Sequence, residues 1–272
     1  MSLAPIRPGF TLGRVMAIVR RHVYLLRQSW PRAVELIYWP TIQMILWGFI
    51  TQFLQTNSSW VAQAFGVLLA AVLLWDVLFR GQLGVSISFL EEMWSRNLGN
   101  LFVSPLRPDE WVAALLTMSL IRVLIGIVPA ALLAIPLYHY SIFTLGLPLL
   151  GFFVNLMVFG WAIGLAMVAL ILRYGLGAES MAWLSIFLIA PVSAVYYPVS
   201  VLPPWLQWVA WSLPSAHVFE GMRTVMTTGG FALGHAAAAA ALNVVYVAIG
   251  ALIFLWSFRT ARVRGALLST GE

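Results

Sequence analysis

Residues 86–111 read SISFLEEMWSRNLGNLFVSPLRPDEW, a long polar interruption in a chain whose first two-thirds are otherwise apolar. Four of the nine carboxylates (Glu91, Glu92, Asp109 and Glu110) and two of the fifteen arginines (Arg96 and Arg107) fall inside it. Ile87, Leu90, Trp94, Leu98 and Leu101 recur at helical spacing, with Glu91 and Glu92 beside the apolar stripe, which predicts a short amphipathic helix. Gly99 and Asn100 weaken its end, Ser104-Pro105 and Arg107-Pro108 break the chain, and Asp109 is placed to cap the next helix. A connector lying on lipid headgroups would favour basic residues over paired glutamates. The stretch therefore reads as a docking helix for a protein partner.

The composition around it defines the class. Hydrophobic residues make up 62% of the 272 and charged residues 9%, with a mean hydropathy of +0.93. A soluble domain carries about 25% charged residues, so the chain is expected to be an integral membrane protein. Every basic side chain except the histidines is arginine. The absence of lysine excludes a phosphate-binding P-loop, which needs one. The absence of cysteine excludes disulfides and thiolate chemistry. The pI of 10.2 could suggest nucleic acid, but the arginines sit beside apolar spans, where membrane topology accounts for them. No cleavable signal peptide is expected, because the first thirty residues lack a continuous apolar core.

Outward from the loop, six segments are long enough to cross a hydrocarbon core, which takes about 20 residues as helix. They are residues 33–54, 61–79, 111–135, 145–172, 181–201 and 235–258. Pro5 and Pro8 oppose a helix at the start, and Thr11 can cap the first one. Over residues 11–30, Leu12, Val15, Met16, Val19, Val23, Leu26 and Trp30 share one helical face. Arg14 and Arg21 lie opposite, while Arg20 and Arg27 flank the stripe where they can snorkel. That pattern predicts an amphipathic helix lying in the cytoplasmic interface. With the N-terminus inside, Arg7, Arg14, Arg20, Arg21, Arg27, Arg32, Arg80, Arg96, Arg107, Arg173, Arg259, Arg262 and Arg264 all fall on the inner side. Only Arg223 falls outside and Arg122 falls within a span, so both termini are expected in the cytoplasm.

Between the last two spans, residues 202–230 are too short and polar for two more crossings and too hydrophobic for a free loop. Pro204, following Pro203, suits the first turn of a helix. Trp205, Leu206, Trp208, Val209 and Trp211 suit an outer interface. Pro214 and Ser215 start a second helix in which Glu220 and Arg223 are spaced as an i,i+3 pair. The segment reads as interfacial or re-entrant. Arg122 lies within the third span, where an arginine costs roughly 2.5–3.5 kcal/mol on insertion scales, and Asp76 is its expected partner. Glu35 and Glu179 sit at inner ends of spans. His139 and His217 fall near the outer surface without metal-ligand spacing. Asn155 is expected to hydrogen-bond another helix, and Gly160-xxx-Gly164 to let two helices approach closely. Asn57-Ser58-Ser59 matches a glycosylation triplet, a pattern too common to carry weight.

Glu91 to Trp111, with its acidic start, Asn97-Leu98-Gly99 and SPLRPDEW, resembles the cytoplasmic loop of type-2 ABC exporter permeases, E-x-x-x-G-T-L-E-x-L-x-x-[ST]-P-[LV]-x-x-x-E. Asn97-Leu98-Gly99 stands for the usual Gly-Thr-Leu. Residues 197–223, YPVSVLPPWLQWVAWSLPSAHVFEGMR, are similar to that family's P-x-x-x-L-P-x-W-L segment, with Leu213-Pro214 where Asn-Pro is usual. The resemblance implies an all-α permease of six transmembrane helices in a bacterial inner membrane. It implies an N-terminal interfacial helix, a cytoplasmic coupling helix between spans two and three (the loop of residues 86–104), and re-entrant external helices between spans five and six. It also implies a homodimer working with two separate ATPase subunits that bind the ATP and magnesium, with no cofactor and no catalytic residue in this chain. By the same resemblance Glu91, Glu92, Trp94, Arg96 and Leu98 contact the ATPase, spans one, two and five line the path, and Pro204, Trp205, Trp208, Pro214, Glu220 and Arg223 belong to an external gate.

Two other classes fit the composition. A proton-coupled secondary transporter would use Asp76 and Arg122, but would ordinarily show an internal repeat or paired broken helices, and the two halves show no convincing repeat. A membrane-embedded enzyme needs ionisable groups converging at one depth, whereas these are scattered. An exported cargo would be hydrophobic or amphipathic: a glycan, glycolipid, lipid or drug. The thirteen tryptophans and Tyr196-Tyr197 fit an aromatic path, and equally fit interfacial belts.

Overall fold

A computed structural model describes residues 9–57, 65–230 and 232–263. Arg7, Arg264, Pro5, Pro8, Ser58-Ser59 of the glycosylation triplet and residues 61–64 of the second expected span lie outside the described residues. Every regular element among the described residues is helical. A first helix, α1 (Leu12–Gln28), leads into α2 (Trp30–Asn57), followed by α3 (Phe65–Trp94) and a six-residue α4 (Leu98–Val103). Next come α5 (Pro108–Tyr138), α6 (Leu147–Tyr174) and a short α7 (Glu179–Ile189). Two further short helices, α8 (Pro204–Trp211) and α9 (Pro214–Thr228), precede the long α10 (Leu233–Val263).

The axis of the bundle is α3. Every residue from Leu69 to Leu78 is buried, as befits a helix that is hydrophobic all round. It packs between α5 and α6, and α10 closes on the far side of α6. Small residues make the contacts close. A Cβ added at Gly160 would sit 2.9 Å from the Leu78 carbonyl oxygen, and one at Gly164 would sit 2.8 Å from Val85 Cβ. The small-residue spacing in α6 is thus an α3 contact. On the other side of α3, Ser119 Oγ donates to the Gly81 carbonyl at 2.7 Å. Asn155 also finds a partner on another helix: Asn243 Nδ2 of α10 donates to its side-chain and main-chain oxygens at 2.9 and 3.0 Å. By contrast α2 and α10 turn large apolar side chains outward, among them Phe49, Phe53, Leu252 and Trp256. A bilayer tolerates such faces.

Five stretches among the described residues are long and apolar enough to cross a membrane, against six expected. The difference lies in the fifth. Residues 181–201 do not form one helix. Gly175–Ala178 makes a 3-10 turn directly after α6, and α7 then runs only 11 residues. At 1.5 Å per residue that is about 16 Å, half of a ~30 Å hydrocarbon core. Pro191 follows, and the chain bends through Ala194 at φ +56. The second expected span differs in the opposite sense. No proline interrupts the chain between Phe65 and Trp94, so α3 continues for 30 residues and takes in the helix expected to stand alone from Ile87. Only α4 is a separate loop helix.

Two alanine substitutions on α6 test the α3 contact. Gly151 has open space around it, and Gly151→Ala should stabilise by up to about 1 kcal/mol through helix propensity. Gly160→Ala should instead destabilise by about 1–3 kcal/mol, because the methyl overpacks the α3 backbone. Thermal unfolding in detergent followed by circular dichroism reads the opposite signs.

Candidate functional site

Ionisable side chains converge at the end of α3, where three carboxylates are buried together: Glu91 at 8% exposure, Glu92 at 0% and Glu110 at 0%. A buried carboxylate is tolerated only when paired and hydrogen-bonded, and each of these is. Glu110 accepts Arg14 Nε at 2.8 Å and Nη2 at 2.6 Å, the Thr11 amide at 2.7 Å and the Arg107 amide at 3.0 Å. Glu92 accepts Arg21 Nη1, and Asn97 Nδ2 at 2.8 Å. Glu91 accepts Arg122 Nη2 at 2.7 Å and lies 3.4 Å from Arg32 Nη1. The fully buried His22 ring stands between two of them, Nδ1 at 3.1 Å from Glu91 and Nε2 at 3.3 Å from Glu92. Bonding to Glu110 raises the Arg14 guanidinium above its ordinary value.

These pairs revise several sequence readings. Arg14 and Arg21, expected on the outward side of α1, turn toward the protein. α1 packs on α5 through Val15 and Val19 with Ala114, and leaves Leu12, Met16 and Tyr24 exposed. Thr11 makes no side-chain cap; its amide is held by Glu110 instead. Asp109 does not cap α5 either. Pro108 takes the first helical position, the Glu110 carboxylate caps the Arg107 amide, and Asp109 pairs at the surface with Arg107 Nε at 2.9 Å. Asp76 and Arg122 do not pair. Arg122 bonds Glu91, one helix end away, while Asp76 faces Arg80 on its own helix at 3.8 Å.

Of the five residues proposed to meet a partner, three are buried. Glu91 and Glu92 face α1, α2 and α5, and Leu98 joins Leu101, Phe89, Trp111 and Phe254 in an apolar cluster. Trp94 is 46% exposed and Arg96 is exposed beside it. Arg96 ends α3 in the left-handed conformation, φ +53, with its amide on the Met93 carbonyl and the Asn97 amide on the Glu92 carbonyl, 2.9 Å each. A glycine is the usual residue at such a helix end. Counted from Glu92, the glycine of E-x-x-x-G-T-L falls on Arg96, so Arg96-Asn97-Leu98, and not Asn97-Leu98-Gly99, stands for Gly-Thr-Leu.

At the remote end, α8 and α9 form the two short helices expected. Trp205 and Trp208 point outward. Pro214 begins a buried first turn of α9, and Ser215 Oγ lies 2.9 Å from Ser193 Oγ. Glu220 and Arg223 do pair, at 3.5 Å, but their stronger bonds go to the backbone of the broken fifth segment. Glu220 accepts the Val199 amide at 2.6 Å. Arg223 Nη2 donates to the carbonyls of Ala194, Val195 and Tyr197, the last two at 2.9 Å. Tyr196 stacks on Trp47 of α2 at 4.6 Å between centroids. His139 ends α5 in a left-handed turn. His217, with Nδ1 3.5 Å from that of His235 and both rings beside Trp211, forms a pair that sequence spacing did not signal.

Helices of this length and hydropathy, with their charges gathered at one end, define a multi-pass membrane protein. The family model for ABC-2 type transporters matches residues 15–227, from within α1 to the last turn of α9, and the chain belongs to that family. It is therefore a transport permease of a family that usually works with ATP-binding subunits. A search of the curated proteins finds no match to the chain.

The buried network and the turn that ends α3 give one prediction each. Glu91→Ala should cost about 3–5 kcal/mol, because it strands the buried Arg122. Adding Arg122→Met should recover a good part of that loss in a double-mutant cycle read by thermal unfolding. Arg96→Gly should raise stability by about 0.5–1 kcal/mol in the same assay, since an L-residue in the left-handed region costs about 1–2 kcal/mol, partly offset by the greater freedom of unfolded glycine.

Proposed function

We propose that this chain is the membrane subunit of an ATP-driven exporter. Two copies assemble with two cytoplasmic ATPase subunits in a bacterial inner membrane, with both termini inside, and the ATP and magnesium bind to the partner chains. The observation that carries this reading is that α1, the end of α3 and the start of α5 are tied together by Glu91, Glu92 and Glu110, while Trp94 and Arg96 at the tip stay exposed. A push on that tip is transmitted to the spans as a rigid-body motion, because paired buried charges allow no gradual slip. Glu91 and Glu92 are then the rivets of the lever, and Trp94, Arg96 and the adjoining α4 turn are the surface that meets the ATPase.

At the other end, α8 and α9 form the outer gate, with Pro204 and Pro214 starting its two helices and Trp205 and Trp208 facing outward. Glu220 and Arg223 hold the broken fifth segment that moves with it. The cargo is a hydrophobic or amphipathic molecule released outward. A proton-driven carrier centred on an Asp76–Arg122 pair has less support, because Arg122 bonds Glu91 and Asp76 faces Arg80 instead.

The test is native mass analysis of the chain co-expressed with the ATPase encoded beside it. A two-plus-two complex is expected. Trp94→Ala with Arg96→Glu should reduce permease-dependent ATP hydrolysis by about tenfold, the loss of an interface anchor worth over 1 kcal/mol, with the unfolding temperature little changed. A chain that recruits no ATPase overturns the proposal. Charge reversal at Glu91 or Glu92 would not serve, because it would test folding and not docking.

A further inference from the structure

A cavity of about 500 Å³ opens between α2, α3, α5 and α7, on the α1 side of the bundle. Its floor and its mouth differ in chemistry. On the floor are Asp76, Arg80, Glu91 and Arg122, with Asp76 at 3% and Arg122 at 6% exposure. The mouth is aromatic, with Trp39, Trp94, Trp183 and Phe187 all substantially exposed. Apolar walls with a few placed polar groups are the usual make-up of a ligand site of this size.

Among the described residues, three floor atoms find no hydrogen-bond partner: Asp76 Oδ2, Arg80 Nε and Arg122 Nε. The first two face each other across 3.8 Å, too far for a hydrogen bond and enough for one oxygen atom to sit beside both. A neutral group that donates to the carboxylate and accepts from the guanidinium satisfies both, and in a ligand that group is a hydroxyl, taking the place open to a water. A phosphate or carboxylate would satisfy the arginines but be repelled by Asp76, and an ammonium would meet the reverse conflict. The cavity lining is also balanced in formal charge, with Arg32, Arg80 and Arg122 against Glu35, Asp76 and Glu91. Exposed indole faces offer ring C–H groups a flat apolar platform.

We infer that this cavity binds the neutral, hydroxyl-rich headgroup of a sugar-bearing amphiphile, its hydroxyls between Asp76 and Arg80 and its sugar ring against the tryptophans of the mouth. The assignment rests on the permease reading and narrows its cargo to the glycolipid class. Arg122 is held in place by Glu91, so the cavity floor and the lever share one residue pair. Movement of the α3 end would therefore alter the floor.

The test uses the full chain in lipid nanodiscs without any ATPase, with tryptophan fluorescence titrated below micelle concentrations by octyl glucoside, octyl tetraethylene glycol and octyl phosphate. Saturable quenching by octyl glucoside is expected, at least about tenfold tighter than by either of the others, the scale of hydrogen bonds to charged groups. The paired substitution Asp76→Asn with Arg80→Gln, which leaves no unbalanced charge, should remove that preference with the unliganded unfolding temperature little changed. Trp183→Ala should weaken octyl glucoside binding several-fold. Equal binding of the ethylene glycol ether would overturn the inference by showing that only the tail is recognised, and tighter binding of octyl phosphate would overturn it in favour of an anionic headgroup. ATP-stimulated complex formation without sugar-selective binding sinks the cavity assignment alone. Sugar-selective binding in a chain that never engages an ATPase sinks the exporter reading and leaves the cavity assigned.

Discussion

Three carboxylates taken out of water at one place constrain everything around them. Glu91, Glu92 and Glu110 come from the end of α3 and the start of α5, and their counter-charges come mainly from α1, with Arg32 from α2 and Arg122 from within α5. Because removing one partner of a buried ion pair strands the other, such a cluster assembles as a unit. α1 has few apolar anchors of its own, and its seat on the bundle depends on Arg14, Arg21 and His22. An amphipathic helix that could have floated on lipid is thereby fixed in register against two spans.

The rest of the bundle is held by a different principle. Within lipid there is little hydrophobic gain in bringing helices together, so close backbone approach and interhelical hydrogen bonds hold them. Gly160 and Gly164 seat α6 on α3, Ser119 ties α5 to α3, and Asn243 ties α10 to α6. Charge organises one end and small residues organise the middle. At the remote end α9 holds a segment that has stopped being helical, with Arg223 collecting its carbonyls and Glu220 its Val199 amide.

How much of this was legible in the sequence depended on the range of the interaction. Hydropathy locates four of the spans to within a few residues and the start of the helix that holds a fifth, because length and apolarity are local properties. The i,i+3 relation of Glu220 and Arg223 was equally local. The Gly160–Gly164 spacing and the bonding of Asn155 followed from what those residue types do in a membrane. The partner of Arg122 is not legible in this way: depth along two spans points to Asp76, whereas the true partner, Glu91, lies in the stretch that reads as a docking helix for a protein partner. The helical period of that loop is local and legible, whereas its unbroken continuation from α3 is not marked by any residue between them. The glycine position of the family motif, occupied here by Arg96, would have marked the end of the helix. The fifth span failed differently. Its composition is apolar enough, and Pro191 at its midpoint, with Pro198 beyond it, is the local sign that α7 stops short.

The broken fifth segment has a consequence for how the chain enters the membrane. Backbone carbonyls at Ala194, Val195 and Tyr197 would be left bare in hydrocarbon, where no water can satisfy them, yet the side chain that satisfies them is supplied by Arg223, more than twenty residues later in synthesis. In a chain made from its N-terminus, those carbonyls precede the guanidinium that holds them, so this end of the bundle is complete only once α9 has been made and reaches back.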